Sequence, residues 1–164
     1  MMKIRVSIAQ QMLALFDDNG HLLRRYPVST AALGAGERQG SYQTPRGRHI
    51  VRAKIGGGAP AGAVFKARRW NGEICTAETY AAQPERDWIL SRILWLSGLE
   101  VGRNRLGPVD TMRRYIYLHG TPDQVELGHP GSHGCVRMRN SDIIELFELV
   151  PYGTEVEIVE HEPV

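Results

Sequence analysis

The residues with the clearest capacity for chemistry are Ser132-His133-Gly134-Cys135, near the end of the chain. A second histidine, His119, lies sixteen residues before Cys135 and is followed by Gly120. Acyl transfer by a thiol needs a nucleophile, a base that removes its proton, and fixed donors for the oxyanion that develops on the attacked carbonyl. These residue types, in this order, indicate a thiol enzyme.

Cys135 is the candidate nucleophile and His119 the candidate base. A histidine partner can lower a thiol pKa to roughly 3.5–7.5, so we expect an ionised sulfur. The alternation in 114–119 predicts a strand with His119 at its end, after which Gly120 lets the chain turn away. Gly134 has no side chain, so its amide and that of Cys135 are expected to form an oxyanion hole.

Two other interpretations of the cysteines and histidines stay open. A lone cysteine is usually a small buried hydrophobe, which is also our expectation for Cys75, as a packed strand residue. Imidazole and thiolate are good zinc ligands, so His119, His129, His133 and Cys135 form an alternative zinc site, although their spacing matches no standard finger.

The sequence resembles the L,D-transpeptidase catalytic domain family of bacterial cell-wall enzymes, also called the YkuD domain. The resemblance rests on His119-Gly120, a spacer, and then Ser132-His133-Gly134-Cys135-Val136-Arg137. Thr44-Pro45-Arg46-Gly47 resembles the upstream Thr-Pro-x-Gly element of the family, and Val28-Ser29-Thr30 the segment that opens the domain. The resemblance covers nearly the whole chain and implies a mainly β fold.

The resemblance also implies a reaction. Cys135 would attack the carbonyl between the L-centre of the third residue of a peptidoglycan stem peptide, such as meso-diaminopimelate, and D-alanine in position four. D-alanine would leave and a thioester would remain. His119 would be the general base, its ring held by a backbone carbonyl such as that of Gly120.

The remaining signature residues take supporting roles by the same resemblance. His133 would lie near the oxyanion or line the cleft, and Ser132 and Gly120 would contact substrate. Arg137 would pair with a substrate carboxylate through a two-pronged contact. An internal salt bridge that ties the loop is the alternative for Arg137.

Composition fits one catalytic domain over residues 1–164. A chain of this length can bury its own core, and 20 basic against 18 acidic residues give no reason to expect nucleic acid as a partner. Seventeen of the basic residues are Arg and three are Lys. Arginine suits carboxylates, so Arg103, Arg105, Arg113 and Arg114 are candidates for a substrate wall, although a GC-rich genome would produce the same excess. No metal or cofactor is expected, and the sequence does not fix the oligomeric state.

The location predicted from the sequence is cytoplasmic. Lys3–Ile8 alternates polar and apolar residues and does not form the apolar run of a secretory leader. No stretch approaches the roughly twenty apolar residues of a membrane span, so no membrane partner is expected. With two cysteines in the whole chain, a disulfide framework is not expected either.

A cytoplasmic enzyme with this site would meet soluble muropeptides returned for recycling. Water would then resolve the thioester, which makes an L,D-carboxypeptidase the expected activity. The alternatives are an L,D-transpeptidase that forms cross-links or exchanges D-amino acids, the zinc-binding module, and a non-catalytic domain that binds muropeptides.

The predicted fold is a mainly β domain, a YkuD-like β-sandwich or mixed sheet with one or two short helices. Alternation or turn signals predict strands over 3–8, 12–16, 21–28, 49–55, 87–97 and 154–159. Asn19-Gly20 predicts a hairpin turn with positive φ at both residues. A helix capped by Ser141 is predicted after Asn140. If its axis points toward Cys135, its dipole would favour a thiolate; otherwise the helix is only a core element.

Overall fold

The computed structural model describes all residues, 1–164, and is built mainly from β-strands. The ten strands are β1 Lys3–Ser7, β2 Met12–Phe16, β3 Leu22–Ser29, β4 Gly47–Ile55, β5 Ala63–Lys66, β6 Arg69–Ile74, β7 Leu90–Gly98, β8 Tyr117–Thr121, β9 Val136–Arg139 and β10 Glu155–Val159. The two α-helices are α1 Ala77–Ala82 and α2 Asn140–Leu149, and a 3-10 turn spans Gly107–Val109. Neither helix has the length and apolar composition needed to cross a bilayer.

Eight of the strands close into a ring. They follow the order β4-β10-β1-β2-β3-β9-β8-β7, and β7 pairs back with β4. Most neighbours are antiparallel, but β1–β10 and β8–β9 are parallel. The β5–β6 hairpin lies outside the ring and joins it through β5, which pairs with β7. The mainly β prediction is therefore confirmed.

The ring surrounds one large apolar cluster. Every strand of the ring contributes a buried side chain to it, and α2 adds Ile143, Leu146 and Phe147. Alternation along β8 and β9 explains how the core and the site are separated: Leu118, Val136 and Met138 point into this cluster, and the residues between them point to the opposite face.

The predicted strands are present, with small changes in their bounds. The segment 87–97, whose periodicity was ambiguous between helix and strand, forms β7. The hairpin turn after β2 differs from the prediction because Gly20 has positive φ and Asn19 does not. Here the Asp17 carboxylate accepts hydrogen bonds from the amides of Asn19 at 2.8 Å and His21 at 2.9 Å and closes the turn.

Two details near the signature residues were predicted wrongly. β8 continues through Gly120 to Thr121, so His119 lies inside the strand and Gly120 does not turn the chain away. α2 begins at Asn140, and its N-cap, Arg139, makes no side-chain capping bond, so Ser141 is not the cap. The four residues of β9 separate Cys135 from α2, roughly 13 Å of extended chain, which is too far for a strong effect of the helix dipole.

Candidate active site

The parallel pairing of β8 with β9 brings the two candidate catalytic side chains to one face of the sheet. His119 is opposite Arg137 in the register, and the same register places Tyr117 opposite Cys135. Since alternate residues share a face, Tyr117, His119, Cys135 and Arg137 all project away from the main core. His119 and Cys135 are therefore diagonal neighbours on two adjacent strands.

The sulfur of Cys135 rests against the backbone that leads into β8. Sγ donates to the Tyr115 carbonyl oxygen at 3.3 Å and accepts from the Tyr117 amide at 3.3 Å. It makes no hydrogen bond to His119, so attack needs a rotation of the cysteine side chain toward the imidazole. Burial raises the pKa of Cys135 to about 12, and the resting sulfur is therefore a thiol. The thiolate expected from the sequence is not the resting state.

His119 is oriented by a backbone contact. Its Nδ1 lies 2.6 Å from the carbonyl oxygen of Gly120. Because a carbonyl can only accept, Nδ1 carries the proton and Nε2 keeps the lone pair that a general base needs. The side chain is 1% exposed, and burial lowers its pKa, partly offset by the negative charge of Asp87. The ring is therefore neutral and able to accept a proton.

The loop before Cys135 is held by side chains of its own and of the Thr-Pro-x-Gly element. Ser132, 2% exposed, donates through Oγ to the Cys135 carbonyl at 2.5 Å and accepts from the Gly134 amide at 3.2 Å. Thr44 Oγ1 donates to the Gly134 carbonyl and accepts from the Ala31 amide, both at 2.9 Å. Ser132 thus shapes the loop; it also lines the cavity, and its predicted contact with substrate stays a prediction.

The predicted oxyanion hole needs a related correction. The Gly134 amide is already engaged by Ser132, whereas the Cys135 amide donates to no group of the protein. Gly134 has φ +134, a value that favours glycine, so its contribution is the shape of the loop. The Cys135 amide is the donor available to an oxyanion.

Gly120 is buried in β8 and does not face the cleft. A Cβ there would lie 2.6 Å from the Leu90 carbonyl oxygen and would also meet Asn140 Oδ1. This close approach of neighbouring backbone explains the glycine better than the substrate contact that we predicted. Its carbonyl still acts on the site, because it accepts from the His119 ring.

A cavity of about 230 Å³ opens beside the sulfur. Its walls include the aromatic rings of Phe65, Tyr115 and Tyr117 and the charged side chains of Asp87, Arg68 and Arg114, together with His133 and Cys135. His133 is exposed and packs edge-to-face on Tyr42 at 6.2 Å between ring centroids. His133 therefore lines the cleft, one of its two predicted positions.

The arginines predicted to bind substrate have different positions and partners. Arg137 is 15% exposed, and its Nη2 lies 3.7 Å from Asp87 Oδ1, which is the internal salt bridge that was the alternative. Arg114 lines the cavity, but its guanidinium donates to the carbonyls of Gly36 and Gln43 and to the Ser41 hydroxyl. The other three candidates do not line the cavity: Arg103, Arg105 and Arg113.

The zinc alternative has no geometric support. No three side chains among His, Cys, Asp and Glu come close enough together to hold a metal ion. Cys75 lies just after β6 and is not a strand residue, and both cysteines are free. Sequence reasoning missed Arg68, Asp87 and Phe65, because they come from β5–β6 and from the loop before β7, where the sequence carries no catalytic signature.

Comparison with known proteins shows the family of the chain. The model of the L,D-transpeptidase catalytic domain, YkuD, matches residues 2–158. The chain belongs to this family. The YkuD protein of Bacillus licheniformis, which is named as an L,D-transpeptidase, is 26% identical over 157 residues, covering 95% of this chain and 64% of its own length. The YbiS protein of Escherichia coli K12, also named as an L,D-transpeptidase, is 51% identical over 51 residues, which cover 31% of this chain and 16% of that protein.

Solved structures of the family share the fold. An L,D-transpeptidase from Xylanimonas cellulosilytica superposes with a TM-score of 0.55 at 19% identity, over 96% of this chain and 60% of that one. An L,D-transpeptidase from Mycobacterium smegmatis gives 0.56 at 19% identity, over 96% of this chain and 58% of that one. The chain spans less than two thirds of the length of these relatives, which carry further regions that it does not match.

Proposed function

We propose that this domain is a cysteine acyl-transfer enzyme that cleaves the bond between the L-centre of residue three and D-alanine four of peptidoglycan stem peptides. We further propose that water resolves the thioester, so that the enzyme is an L,D-carboxypeptidase. The observation that carries the proposal is the arrangement on β8 and β9. A cavity-facing thiol and a buried imidazole with Nε2 free share one sheet face.

The mechanism follows from the neutral resting pair. When the peptide carbonyl enters the cavity, Sγ of Cys135 leaves the Tyr115 and Tyr117 backbone and turns to His119. Nε2 takes the thiol proton as sulfur bonds to the carbonyl carbon, and the Cys135 amide donates to the oxyanion. The C–N bond then breaks, His119 returns the proton to the departing D-alanine amine, and a thioester remains.

Deacylation repeats the same steps with water. Nε2 of His119 accepts a water proton while the oxygen attacks the thioester carbonyl. The C–S bond breaks, and the proton returns to the sulfur of Cys135. The products are the tripeptide acid and the thiol enzyme, so each turnover consumes one water and releases one D-alanine.

The size of the cavity supports water as the acceptor. At about 230 Å³ it is smaller than the roughly 300–1,000 Å³ of typical ligand pockets. A second peptide has little room beside the sulfur, whereas water has enough.

A second observation favours transpeptidation as the alternative. Another hollow is lined by Ala32, Leu33, Tyr42, Ser132 and His133. The two hollows share Ser132 and His133. An acceptor amine, from a second stem peptide or a free D-amino acid, has a route to the thioester across His133.

For the cellular setting we propose the recycling of muropeptides in the cytoplasm. A hydrolytic outcome removes D-alanine without joining peptides, which suits the processing of soluble fragments. Fractionation of the source cells, with antibody detection of this protein beside marker proteins for each compartment, checks the setting. Recovery with exported proteins would contradict it.

The direct test is incubation with a purified tetrapeptide muropeptide, with and without a D-amino acid acceptor, followed by mass analysis. The proposal predicts a tripeptide and free D-alanine in both reactions. An exchanged peptide in the second reaction would support the transpeptidase alternative. Cys135→Ala and His119→Ala are expected to lose at least about 1,000-fold in rate. No D-alanine release by the wild type, together with unchanged muropeptide binding by Cys135→Ala, would show a non-catalytic binding domain.

A further inference from the structure

The β5–β6 hairpin ends in a two-residue turn of unusual composition. Lys66 and Arg69 are paired, and the residues between them, Ala67 and Arg68, have φ of +48° and +62°. Positive φ at both central positions is the type I′ turn, which normally takes Asn or Gly because side chains with Cβ are strained there. The sequence holds this conformation without either residue, at a cost of order 1 kcal/mol per residue.

The turn places the Arg68 guanidinium over the ring system beside Cys135. Its Cζ lies 4.7 Å from the Tyr115 ring centroid and 5.3 Å from that of Trp95. Its Nη1 donates to the Tyr117 hydroxyl at 3.3 Å. Tyr115 and Tyr117 are the residues whose backbone holds the Cys135 sulfur, so Arg68 lies over the same short segment as the nucleophile.

Arg68 is the one cavity-lining arginine with no acidic partner and no backbone acceptor. Arg114, the other arginine of the cavity wall, has three acceptors in the protein. Arg137, behind the wall, pairs with Asp87. Because Asp87 is the only acidic residue of the wall and is shared with Arg137, the cavity keeps an excess of positive charge. Planar guanidinium groups held by aromatic stacking bind carboxylates through two parallel hydrogen bonds.

We propose that Arg68 binds a carboxylate of the acyl-donor peptide and so selects the substrate that Cys135 attacks. This inference rests on the proposed function. Two carboxylates flank the scissile bond and could supply the contact: the free C-terminal carboxylate of D-alanine four, and the side-chain carboxylate of diaminopimelate three. Both would present the same chemistry to a cation fixed at the edge of the cavity.

The test uses Arg68→Gln, with Arg69→Gln as the matched control at the next position of the turn. Arg69 is exposed and does not line the cavity. Arg68→Gln is expected to lower kcat/KM for the diaminopimelate tetrapeptide about 10- to 100-fold, and Arg69→Gln to leave it within about twofold. Arg68→Lys, which keeps the charge without the planar fork, is expected to fall between Arg68→Gln and the wild type.

Modified substrates identify the carboxylate. The kcat/KM of the wild type is divided by that of Arg68→Gln for each substrate. If this ratio falls toward one when the tetrapeptide ends in D-alanine amide, Arg68 binds the C-terminal carboxylate. If the ratio falls toward one when lysine replaces diaminopimelate, Arg68 binds the side-chain carboxylate. A ratio that persists with both substrates, or that is near one for the unmodified tetrapeptide, overturns the inference.

Separate controls distinguish loss of the Arg68 contact from a folding defect and from failure of the proposed function. Arg68→Asn removes the same charge as Arg68→Gln but suits positive φ, so its melting temperature is expected to be the higher of the two, with equal loss of activity. If the activities of Arg68→Asn and Arg68→Gln differ in the same order as their melting temperatures, the inference is overturned. Failure of the wild type to release D-alanine would refute the proposed function, whereas normal release by both wild type and Arg68→Gln refutes only the role of Arg68.

Discussion

Thr44 and Gly134 are ninety positions apart in the chain, yet the Thr44 hydroxyl donates to the Gly134 carbonyl at 2.9 Å. The same hydroxyl accepts from the Ala31 amide, so one buried side chain ties three segments together. Gly134 immediately precedes the nucleophile. The Thr-Pro-x-Gly element therefore acts on the site by fixing the loop that presents Cys135.

Thr44→Val is expected to loosen this loop. Valine has nearly the same shape but leaves the buried Gly134 carbonyl and Ala31 amide without partners, which costs about 1–3 kcal/mol of unfolding free energy. Release of D-alanine should fall more than stability alone explains, because the Cys135 amide is no longer fixed. Denaturant unfolding and kinetics measure both effects. Thr44→Ser keeps the hydroxyl and should retain most activity; equal effects of the two substitutions would contradict this role.

Because Cys135 rests as a neutral thiol, we expect it to react slowly with alkylating reagents. Burial raises the pKa of Cys135 to about 12, so the thiolate fraction at neutral pH is small. At pH values below this pKa, the fraction increases tenfold for each unit by which the pH is raised. In a Cys75→Ser background, the rate of modification by iodoacetamide should climb steadily from pH 7 to 10, as read by mass spectrometry. A rate that levels off below pH 8 would reveal a preformed thiolate and contradict the neutral pair.

His49 is expected to make the fold sensitive to acid. Burial lowers the pKa of His49 from 6.5 to about 4, so the unfolded chain binds a proton that the folded chain resists. The contribution to stability is complete above pH 6.5 and is lost as pH falls toward 4, a change of about 3 kcal/mol. The free energy of unfolding, measured with denaturant between pH 6.5 and pH 4, should fall less steeply with decreasing pH in His49→Gln than in the wild type. His129→Gln, at an exposed loop position, is the control for loss of an imidazole.

Gly120→Ala tests the close approach of β8 to its neighbours. The added Cβ would lie 2.6 Å from the Leu90 carbonyl oxygen, and backbone there cannot move as a flexible side chain does. We expect a loss of about 1–3 kcal/mol in unfolding free energy, with lower activity because the Gly120 carbonyl orients His119. In Gly57→Ala the new Cβ would come no nearer than 3.5 Å to the Phe147 ring, so this control should be nearly neutral. A neutral Gly120→Ala would contradict the packing argument.

The sequence predicted strands whose burial alternates, such as β1 and β10, and the strand β2, which ends at a turn. It predicted α2 from its apolar spacing. It did not predict the β5–β6 hairpin, because Ala67 and Arg68 are not residues that normally form its turn. Nor did it predict the parallel pairing of β8 with β9, which depends on long-range packing and not on local pattern.

For the candidate site, the sequence predicted the contact between the His119 ring and the Gly120 carbonyl, but it could not set the charge states of the Cys135 thiol and the His119 imidazole. A histidine next to a thiol suggests an ion pair when burial is unknown. The structure shows that burial acts against the charge on each group. The bonds of Ser132 within its own loop were not predicted either, because they depend on side-chain orientation.

The closed ring of strands leaves the β5–β6 hairpin as an outgrowth attached at one place, where β5 meets β7. Insertions or changes of composition in this outgrowth would leave intact the ladder that carries nucleophile and base. The edge of the cavity can therefore diverge among descendants of this chain while its reaction stays the same, and substrate preference becomes an evolutionarily separable property.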